Sequence, residues 1–254
     1  MSMRVDFVTI FPELFAGFLN HGLILQARDK QILDVQVHDL RNFTHDRHRT
    51  VDDVPYGGGP GMGFKPEPLF EAIESMRQPG GLVIMPGPQG EPFHRKIAEE
   101  LSAASQLIFI CGRYEGVDER VSQALVDREI SIGDFVTMGG ELPSLMMLEA
   151  IARYVPGVVG RQESVLGDSF QNSLLDYPHY TRPEEFRGWR VPATLLSGHH
   201  EQIRLWRRKM ALKRTRERRP DLMAGLILSE EDRKLLAEIQ NEQQENERTE
   251  VTKR

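Results

Sequence analysis

The chain has 254 residues, of which 39% are hydrophobic and 28% charged, and its formal net charge is −6. This composition predicts a globular protein of one or two domains, and no stretch reaches the roughly 18 apolar residues of a membrane span. The single cysteine, Cys111, excludes an internal disulfide and a multi-cysteine zinc site. Asp6, Pro12 and Glu13 interrupt the apolar N-terminus, which is therefore not typical of a signal peptide. We expect a cytoplasmic protein with no membrane association.

Strand and helix patterns alternate over the first 155 residues. Apolar or alternating runs predict strands at "RVDFVTIF", "LDVQVHD", "GLVIM", "QLIFIC" and "EISIGDFV". Apolar residues at helical spacing predict helices that begin at Pro12 and within "LFEAIESM", "HRKIAEELSAA", "DERVSQALV" and "PSLMMLEAIARYV". This alternation indicates an α/β domain, residues 1–155, whose largely parallel sheet is covered on both faces.

The alternation of strand and helix patterns ends after residue 155. Residues 156–168, "PGVVGRQESVLGD", have no periodicity and are predicted to be a flexible linker. Residues 169–243 are predicted to form a small helical domain, and residues 244–254 a disordered polar tail. Ser229 and Asp232 predict a capping box that opens the last helix.

A strongly basic segment lies within the predicted helical domain. Residues 203–219 contain nine Lys or Arg residues and one acid, Glu217. Because the local field governs contact with phosphates, this segment favours a nucleic-acid partner over the alternative of a solvated cationic helix face. Upstream, "LLDYPHYTRPEEFRGWR" interleaves aromatic and arginine residues, as RNA surfaces that stack bases do. Trp189 and Trp206 are instead expected in the core of the domain.

Three glycine-bearing loops follow predicted strands, at the edge where open parallel sheets bind ligands. They are residues 86–90, 112–120 and 137–143, and none matches a phosphate-binding glycine motif. Carboxylates in or beside them suit a neutral or cationic ligand, such as an adenosyl sulfonium, better than a pyrophosphate. These acids are Glu115, Asp118, Glu119, Asp134 and Glu141. Ordinary tight connections, whose acids complement helix N-termini, are the alternative.

The segment "THDRHRTVDDVPYGGGPGM", residues 44–62, concentrates ionisable side chains among glycine and proline. His45, Asp46 and His48 would suit a metal-dependent phosphohydrolase, but no second cluster of such residues stands out. A solvated loop is the simplest alternative, although connections of this length are usually functional or disordered.

Taken together, five motifs carry a resemblance to a known family. "FTHDRHRTVDDVPYGGGPGM", "CGRYEGVDER", "SIGDFVTMGGELP", "DSF" at Asp168 and "LLDYPHYTRP" resemble, in order, the bacterial tRNA (guanine-N1)-methyltransferases, the TrmD family of the SPOUT superfamily. The resemblance implies a SPOUT α/β domain with a trefoil knot in its C-terminal part, a small helical domain and an obligate homodimer. It also implies S-adenosylmethionine as methyl donor and tRNA as substrate, methylated at N1 of the guanosine immediately 3′ of the anticodon.

The same resemblance assigns roles to individual residues. The general base falls on Asp168 and an essential arginine on Arg153; Mg²⁺ is also implied, near Glu115 and Asp168. The predicted cofactor-binding residues are Met85, Pro86, Gly87, Gly90, Gly112, Tyr114, Glu115, Gly116, Ile132, Gly133, Phe135, Thr137, Gly139, Gly140 and Pro143. Together with the basic segment, the resemblance predicts RNA contacts at His48, Arg49, Asp52, Gly61, His179, Arg182, Arg207, Arg208 and Lys213.

Four loop residues depart from the commonest family pattern. Gly87 stands where a serine is usual, Phe135 where a tyrosine is, Thr137 where a leucine is and Met138 where a second serine is. We expect these departures to change cofactor affinity rather than chemistry. Two alternatives stay open: a related SPOUT methyltransferase that modifies another RNA position, and an RNA-binding protein without catalysis.

Overall fold

A computed structural model describes residues 2–160 and 167–252. The chain divides into two compact units, residues 1–162 and 163–254. Of the predicted flexible linker, residues 161–166 lie outside the described residues, as do residues 253–254 of the predicted disordered tail.

The first unit is an α/β domain. Its strands are β1 (Met3–Thr9), β2 (Leu33–Asp39), β3 (Asp52–Asp53), β4 (Gly63–Phe64), β5 (Leu82–Pro92), β6 (Gln106–Ile110) and β7 (Arg128–Ser131). Its helices are α1 (Ala16–Leu19), α2 (Gly22–Asp29), α3 (Pro66–Met76), α4 (Arg95–Leu101), α5 (Glu119–Leu125) and α6 (Glu141–Ala152). Five strands form one sheet in the order β2-β1-β6-β5-β7, and every neighbouring pair in it is parallel.

Helices cover both faces of this sheet, as the strand–helix alternation predicts. Successive residues of a strand point to opposite faces. Val5 and Phe7 of β1 therefore pack with α1, α2, α4 and α6, whereas Val8 packs with α3 and α5. The prediction of a parallel sheet in an α/β domain is confirmed.

Two strands differ from the sequence prediction, and both differences shape the loops that follow. Strand β7 ends at Ser131 rather than continuing through "GDFV", because Gly133 takes a φ of +146° and turns the chain out of the sheet. In β5, Pro86 and Glu91 both pair with Ile130, so the residues between them leave the sheet and return to it. A further element, α2, was not predicted.

The second unit consists of a small hairpin and helices around a separate core. The hairpin pairs β8 (Glu185–Phe186) with β9 (Trp189–Arg190), and the helices are α7 (Ala193–Leu196), α8 (His200–Arg218), α9 (Pro220–Ala224) and α10 (Glu230–Thr252). The core residues are Leu174, Ala211, Leu212, Leu235 and Ile239. Among the described residues, no helix combines the length and the apolar character needed to cross a membrane.

The start of α10 confirms one prediction, and two other features of the second unit differ from expectation. The Asp232 amide donates to Ser229 Oγ at 3.0 Å and the Ser229 amide to Asp232 Oδ2 at 3.1 Å, which is the predicted capping box. Helix α10 runs past residue 243 to Thr252, because this polar stretch lacks Gly and Pro and is rich in good helix formers. Trp189 is 82% exposed rather than in the core.

Candidate active site

The three predicted loops converge on one cavity of about 460 Å³ in the first unit. Each loop leaves its strand at the carboxyl end: residues 86–90 from the first part of β5, 112–117 after β6 and 132–140 after β7. Because β5, β6 and β7 are parallel neighbours, their carboxyl ends meet at the same edge of the sheet, as open α/β folds arrange their ligand sites.

Fourteen of the fifteen predicted cofactor-binding residues line this cavity, and Gly90 is the one that does not. Gly90 lies where the chain re-enters the sheet: a Cβ there would sit 2.4 Å from the amide nitrogen of Ile130. Its lack of a side chain is therefore a packing requirement. Other residues that line the cavity were not among the predicted cofactor contacts, and they include Arg113, Val117 and Ser122.

Glu141 fastens two of the loops to the sheet. It is 1% exposed, and its carboxylate accepts a hydrogen bond from Thr9 Oγ1 at 2.8 Å. Arg113 Nε donates to the same carboxylate at 3.0 and 3.2 Å. Glu141 opens α6, Arg113 follows β6 and Thr9 ends β1, so one side chain connects three segments of the first unit.

A close backbone contact joins the same two loops. The Gly140 amide donates to the carbonyl of Gly112 at 2.8 Å, and a Cβ on Gly140 would lie 2.9 Å from Cα of Cys111. Only glycine fits this crossing without a shift of the backbone. Cys111 is fully buried beneath it, and burial raises the pKa of its thiol far above the ordinary value.

The acids of the loops do not all face the ligand space, which corrects the sequence interpretation. Glu141 is paired with Arg113. Asp118 caps α5 and pairs with Arg120 at 2.8 Å, and the hydrogen bond from that guanidinium lowers the pKa of the carboxyl. Asp134 is exposed and does not line the cavity. Of the five acids, Glu115 and Glu119 line it.

The segment of residues 44–62 meets the cavity through its end. Met62 accepts a hydrogen bond from the Glu115 amide at 3.0 Å, and a Cβ on Gly61, which has a φ of +88°, would lie 2.5 Å from Cγ of Glu115. Asp52 pairs with Phe64 in the β3–β4 ladder, and the Phe64 amide donates to Gly116 at 3.0 Å. The predicted RNA contacts Asp52 and Gly61 are therefore adjacent to a wall of the cavity.

The beginning of the same segment is organised by hydrogen bonds rather than as a metal site. Asp46 accepts bonds from the backbone amides of His48 and Thr50 at 2.8 and 2.9 Å, and the bonds from Thr50 and His48 lower its pKa. His45 Nε2 lies 2.7 Å from Glu71 Oε2, in α3. Within residues 2–160 and 167–252, no three His, Cys, Asp or Glu side chains form a group suited to a metal ion. His48 and Arg49 are exposed.

The two predicted catalytic residues lie in different units. Arg153 directly follows α6, and its side chain is exposed. Asp168 is half-buried in the second unit, where it lines a cavity of about 500 Å³ together with Asp176, Arg204 and Arg207.

The remaining predicted RNA contacts lie on the second unit and differ in their exposure and in their side-chain partners. His179 lies 2.7 Å from Asp176, and the Arg207 guanidinium lies 5.0 Å from the centre of the Tyr177 ring. Arg182 and Arg207 are exposed, whereas Lys213 is half-buried. Arg208 is held by Asp232 at 2.7 and 2.9 Å.

Acids of helix α10 pair with three of the nine basic residues of this segment. Arg204 pairs with Glu231, Arg208 with Asp232, and Lys209 with both Glu238 and Glu242. Each of these acids follows its basic partner by 24 to 33 residues, so the local charge count overstates the free positive charge of α8.

Comparison with known proteins gives a consistent result. The family model described as tRNA (Guanine-1)-methyltransferase TrmD matches residues 3–225. The tRNA (guanine-N(1)-)-methyltransferase of Moorella thermoacetica is 55% identical over 252 residues, which cover 97% of this chain and 100% of the relative. The proteins of the same name from Dictyoglomus turgidum and Brevibacillus brevis are each 52% identical, over 96% and 94% of this chain and 99% of each relative.

Proposed function

The chain belongs to the tRNA (guanine-1)-methyltransferase TrmD family, and from this premise we propose its reaction and the residues that carry it. The enzyme is a tRNA (guanine-N1)-methyltransferase. We propose that it takes the methyl group from S-adenosylmethionine and acts on the guanosine immediately 3′ of the anticodon, position 37, in the cytoplasm. The observation that carries the proposal is the convergence of three glycine-bearing loops on one cavity at the carboxyl ends of parallel strands.

The cavity fits S-adenosylmethionine in size and chemistry. Its volume of about 460 Å³ lies within the range of about 300–1,000 Å³ that is usual for small-molecule sites. Ile132, Phe135 and Pro143 offer apolar surface to an adenine, while Glu115 and Glu119 offer negative charge to a sulfonium or ammonium group. Bound S-adenosylmethionine supplies an electrophilic methyl group. The loops, two of which are linked by Glu141, would orient this methyl group towards N1. Such positioning of the reacting groups can supply a large part of the rate.

Guanine N1 must lose a proton to become a good nucleophile, and we propose that Asp168 accepts it. The proton would pass from N1 to the Asp168 carboxylate and leave N1 with the electron pair that attacks the methyl group, with S-adenosylhomocysteine as the leaving group. Each unit of pKa mismatch between base and nucleophile adds about 1.4 kcal/mol to the barrier. We therefore assign Arg153 to stabilise the negative charge that develops on O6.

Mg²⁺, which the family resemblance implies, is not supported by the ligands available. The described residues contain no group of three or more His, Cys, Asp or Glu side chains suited to a metal ion. The proposed mechanism assigns no role to a protein-bound Mg²⁺.

We propose that residues 44–62 contact the anticodon loop. The position of Gly61 and Met62 against Glu115 supports this role, because a base held there would lie beside the methyl donor. The exposed side chains of His48 and Arg49, together with Asp52, offer polar contacts to bases. In the second unit, His179, Arg182, Arg207 and Lys213 would contact the tRNA, whereas the pairing of Arg208 with Asp232 favours a structural role for Arg208.

We also propose that the enzyme is a homodimer with a knotted first domain. Leu142 and Met146 of α6 are 64% and 56% exposed, and Leu14, on a neighbouring 3₁₀ turn, is 49% exposed. An exposed apolar stripe of this kind supports burial against a second copy of the chain. Arg153 lies seven residues after Met146, which is about two helical turns, and so falls on the same side of the helix. The knot is proposed from membership of the family alone.

The test is transfer of a labelled methyl group from S-adenosylmethionine to unmodified tRNA. We expect transfer by the wild type and a large loss of kcat in Asp168→Asn, with binding of S-adenosylmethionine, measured by calorimetry, unchanged. Asp134→Asn is the matched control, because Asp134 is exposed and lies outside the cavity. Absence of transfer by the wild type would refute the function, and full activity of Asp168→Asn would refute the assignment of the base.

A further inference from the structure

The β8–β9 hairpin, residues 185–190, carries two large aromatic side chains that the proposed mechanism does not use. Phe186 is 61% and Trp189 82% exposed. The two residues are paired directly across the hairpin, and directly paired residues project from the same face. The connecting residues Arg187 and Gly188 have φ angles of +54° and +82°, as a two-residue type I′ turn requires. The two rings therefore stand side by side on one face of the hairpin.

One arginine lies against this aromatic pair, and a second projects from the opposite face of the hairpin. The Arg187 guanidinium lies 5.2 Å from the centre of the Phe186 ring. Arg190 is 77% exposed and donates to Glu185 at 2.6 Å. The hairpin closes through a 2.9 Å bond from the Val191 amide to the Glu184 carbonyl. The exposed aromatic pair therefore has one guanidinium, that of Arg187, beside it.

The base of the hairpin borders a cavity of about 700 Å³ in the same unit. Glu184 and Val191 form its edge, and Tyr180, Arg182 and Arg207 contribute to its walls. Tyr180 is itself 48% exposed. Aromatic and cationic groups therefore continue from the cavity to the tip of the hairpin.

A nucleobase is the ligand that fits this chemistry. Soluble proteins seldom leave large apolar side chains clustered on the surface unless the cluster is used. Aromatic rings flanked by cations bind unpaired bases, because every base presents a face for stacking and its phosphate attracts the flanking charge. We propose that Phe186 and Trp189 form a stacking platform for an unpaired tRNA base, with Arg187 near the adjacent phosphate. This proposal rests on the proposed tRNA substrate.

Fluorescence tests this proposal without depending on methyl transfer. The chain has two tryptophans, so Trp206→Phe leaves Trp189 as the sole tryptophan, and excitation at the red edge of the tryptophan band avoids the emission of the five tyrosines. Stacking on a base should quench its emission when unmodified tRNA is added. Trp189→Ala should raise KM for tRNA about fivefold or more at an unchanged kcat, and Trp189→Phe should restore most of the affinity, since stacking is lost in the first variant and kept in the second. Ile227→Ala, a 95% exposed apolar residue of the same unit, is the matched control and should leave KM unchanged.

Three results would overturn the platform. The first is a Trp189 emission that stays constant while tRNA is bound, as followed by filter binding. The second is an unchanged KM for tRNA in Trp189→Ala. The third is a change in emission on raising the protein concentration without RNA, which would assign the hairpin to contact with a second copy. Failure of the proposed function differs from all three, because it appears as a wild-type enzyme that transfers no methyl group.

Discussion

Replacing Glu141 by alanine should loosen the loops that form the candidate cofactor cavity. The substitution leaves the Arg113 guanidinium, which is 20% exposed, without its charged partner, and removes the acceptor of the Thr9 hydroxyl. Breaking a buried ion pair by removing one partner costs about 3–5 kcal/mol. Because Arg113 keeps some access to water, we expect the lower end, about 3 kcal/mol, which lowers the melting temperature by roughly 6–12 °C in a chain of this size.

Scanning calorimetry measures the fall in melting temperature, and titration calorimetry measures the binding of S-adenosylmethionine. If about 1.4 kcal/mol of the lost stabilisation is what orders the loops for binding, the Kd for S-adenosylmethionine rises tenfold. Glu141→Gln keeps the side-chain volume and an acceptor for Thr9, so it should fall between the wild type and Glu141→Ala. Glu99→Ala is the control: it removes an exposed helical pair with Arg95 and should cost less than about 1 kcal/mol. A melting temperature for Glu141→Ala equal to that of Glu99→Ala, with unchanged affinity, would refute the role of Glu141.

Three further predictions concern packing, acid stability and assembly. Gly90→Ala places a Cβ 2.4 Å from the backbone of Ile130 and should lower stability by about 1–3 kcal/mol, measured by calorimetry. Gly87→Ala is the control: its Cβ would meet only the flexible Gln89 side chain, at 3.2 Å, and should have little effect on stability. Equal melting temperatures of the two variants would contradict the close approach of Gly90 to Ile130. The Arg208 guanidinium lowers the pKa of Asp232 from 3.8 to about 2. The folded pKa lies below the unfolded one, so the ionised Asp232 stabilises the fold above the unfolded pKa, and this stabilisation is lost as the pH falls towards the folded pKa. Asp232→Asn should therefore flatten the loss of stability in acid, and an unchanged slope would argue against the pair. Met146→Asp places a charge in the exposed stripe of α6 and should yield monomers in sedimentation velocity, where a persistent dimer would exclude this stripe as the interface.

The features that the sequence predicts well are those encoded locally. The alternation of strands and helices predicts the parallel sheet because each element is defined by its own periodicity. The capping box at Ser229 and Asp232 is equally local, since its two partners lie three residues apart. The three loops could be located because glycine follows each strand at the edge of the sheet that binds ligands.

Pairing between distant segments was not predictable in the same manner. Glu141 was counted as a negative charge available to a ligand, but its partner Arg113 lies 28 residues earlier in the chain. The basic segment was interpreted from its own composition, whereas its counter-charges come from α10. Trp189 was expected in the core, yet it follows a two-residue turn at Arg187 and Gly188 and is 82% exposed.

The most direct test of the account is to locate the transferred methyl group. Unmodified tRNA is incubated with the enzyme and labelled S-adenosylmethionine, digested to nucleosides and oligonucleotides, and analysed by mass spectrometry. The account predicts labelled 1-methylguanosine immediately 3′ of the anticodon, and no labelled product when that guanosine is replaced by adenosine. A label at another position or on another atom of guanine, or methylation of the adenosine-substituted tRNA, would contradict it.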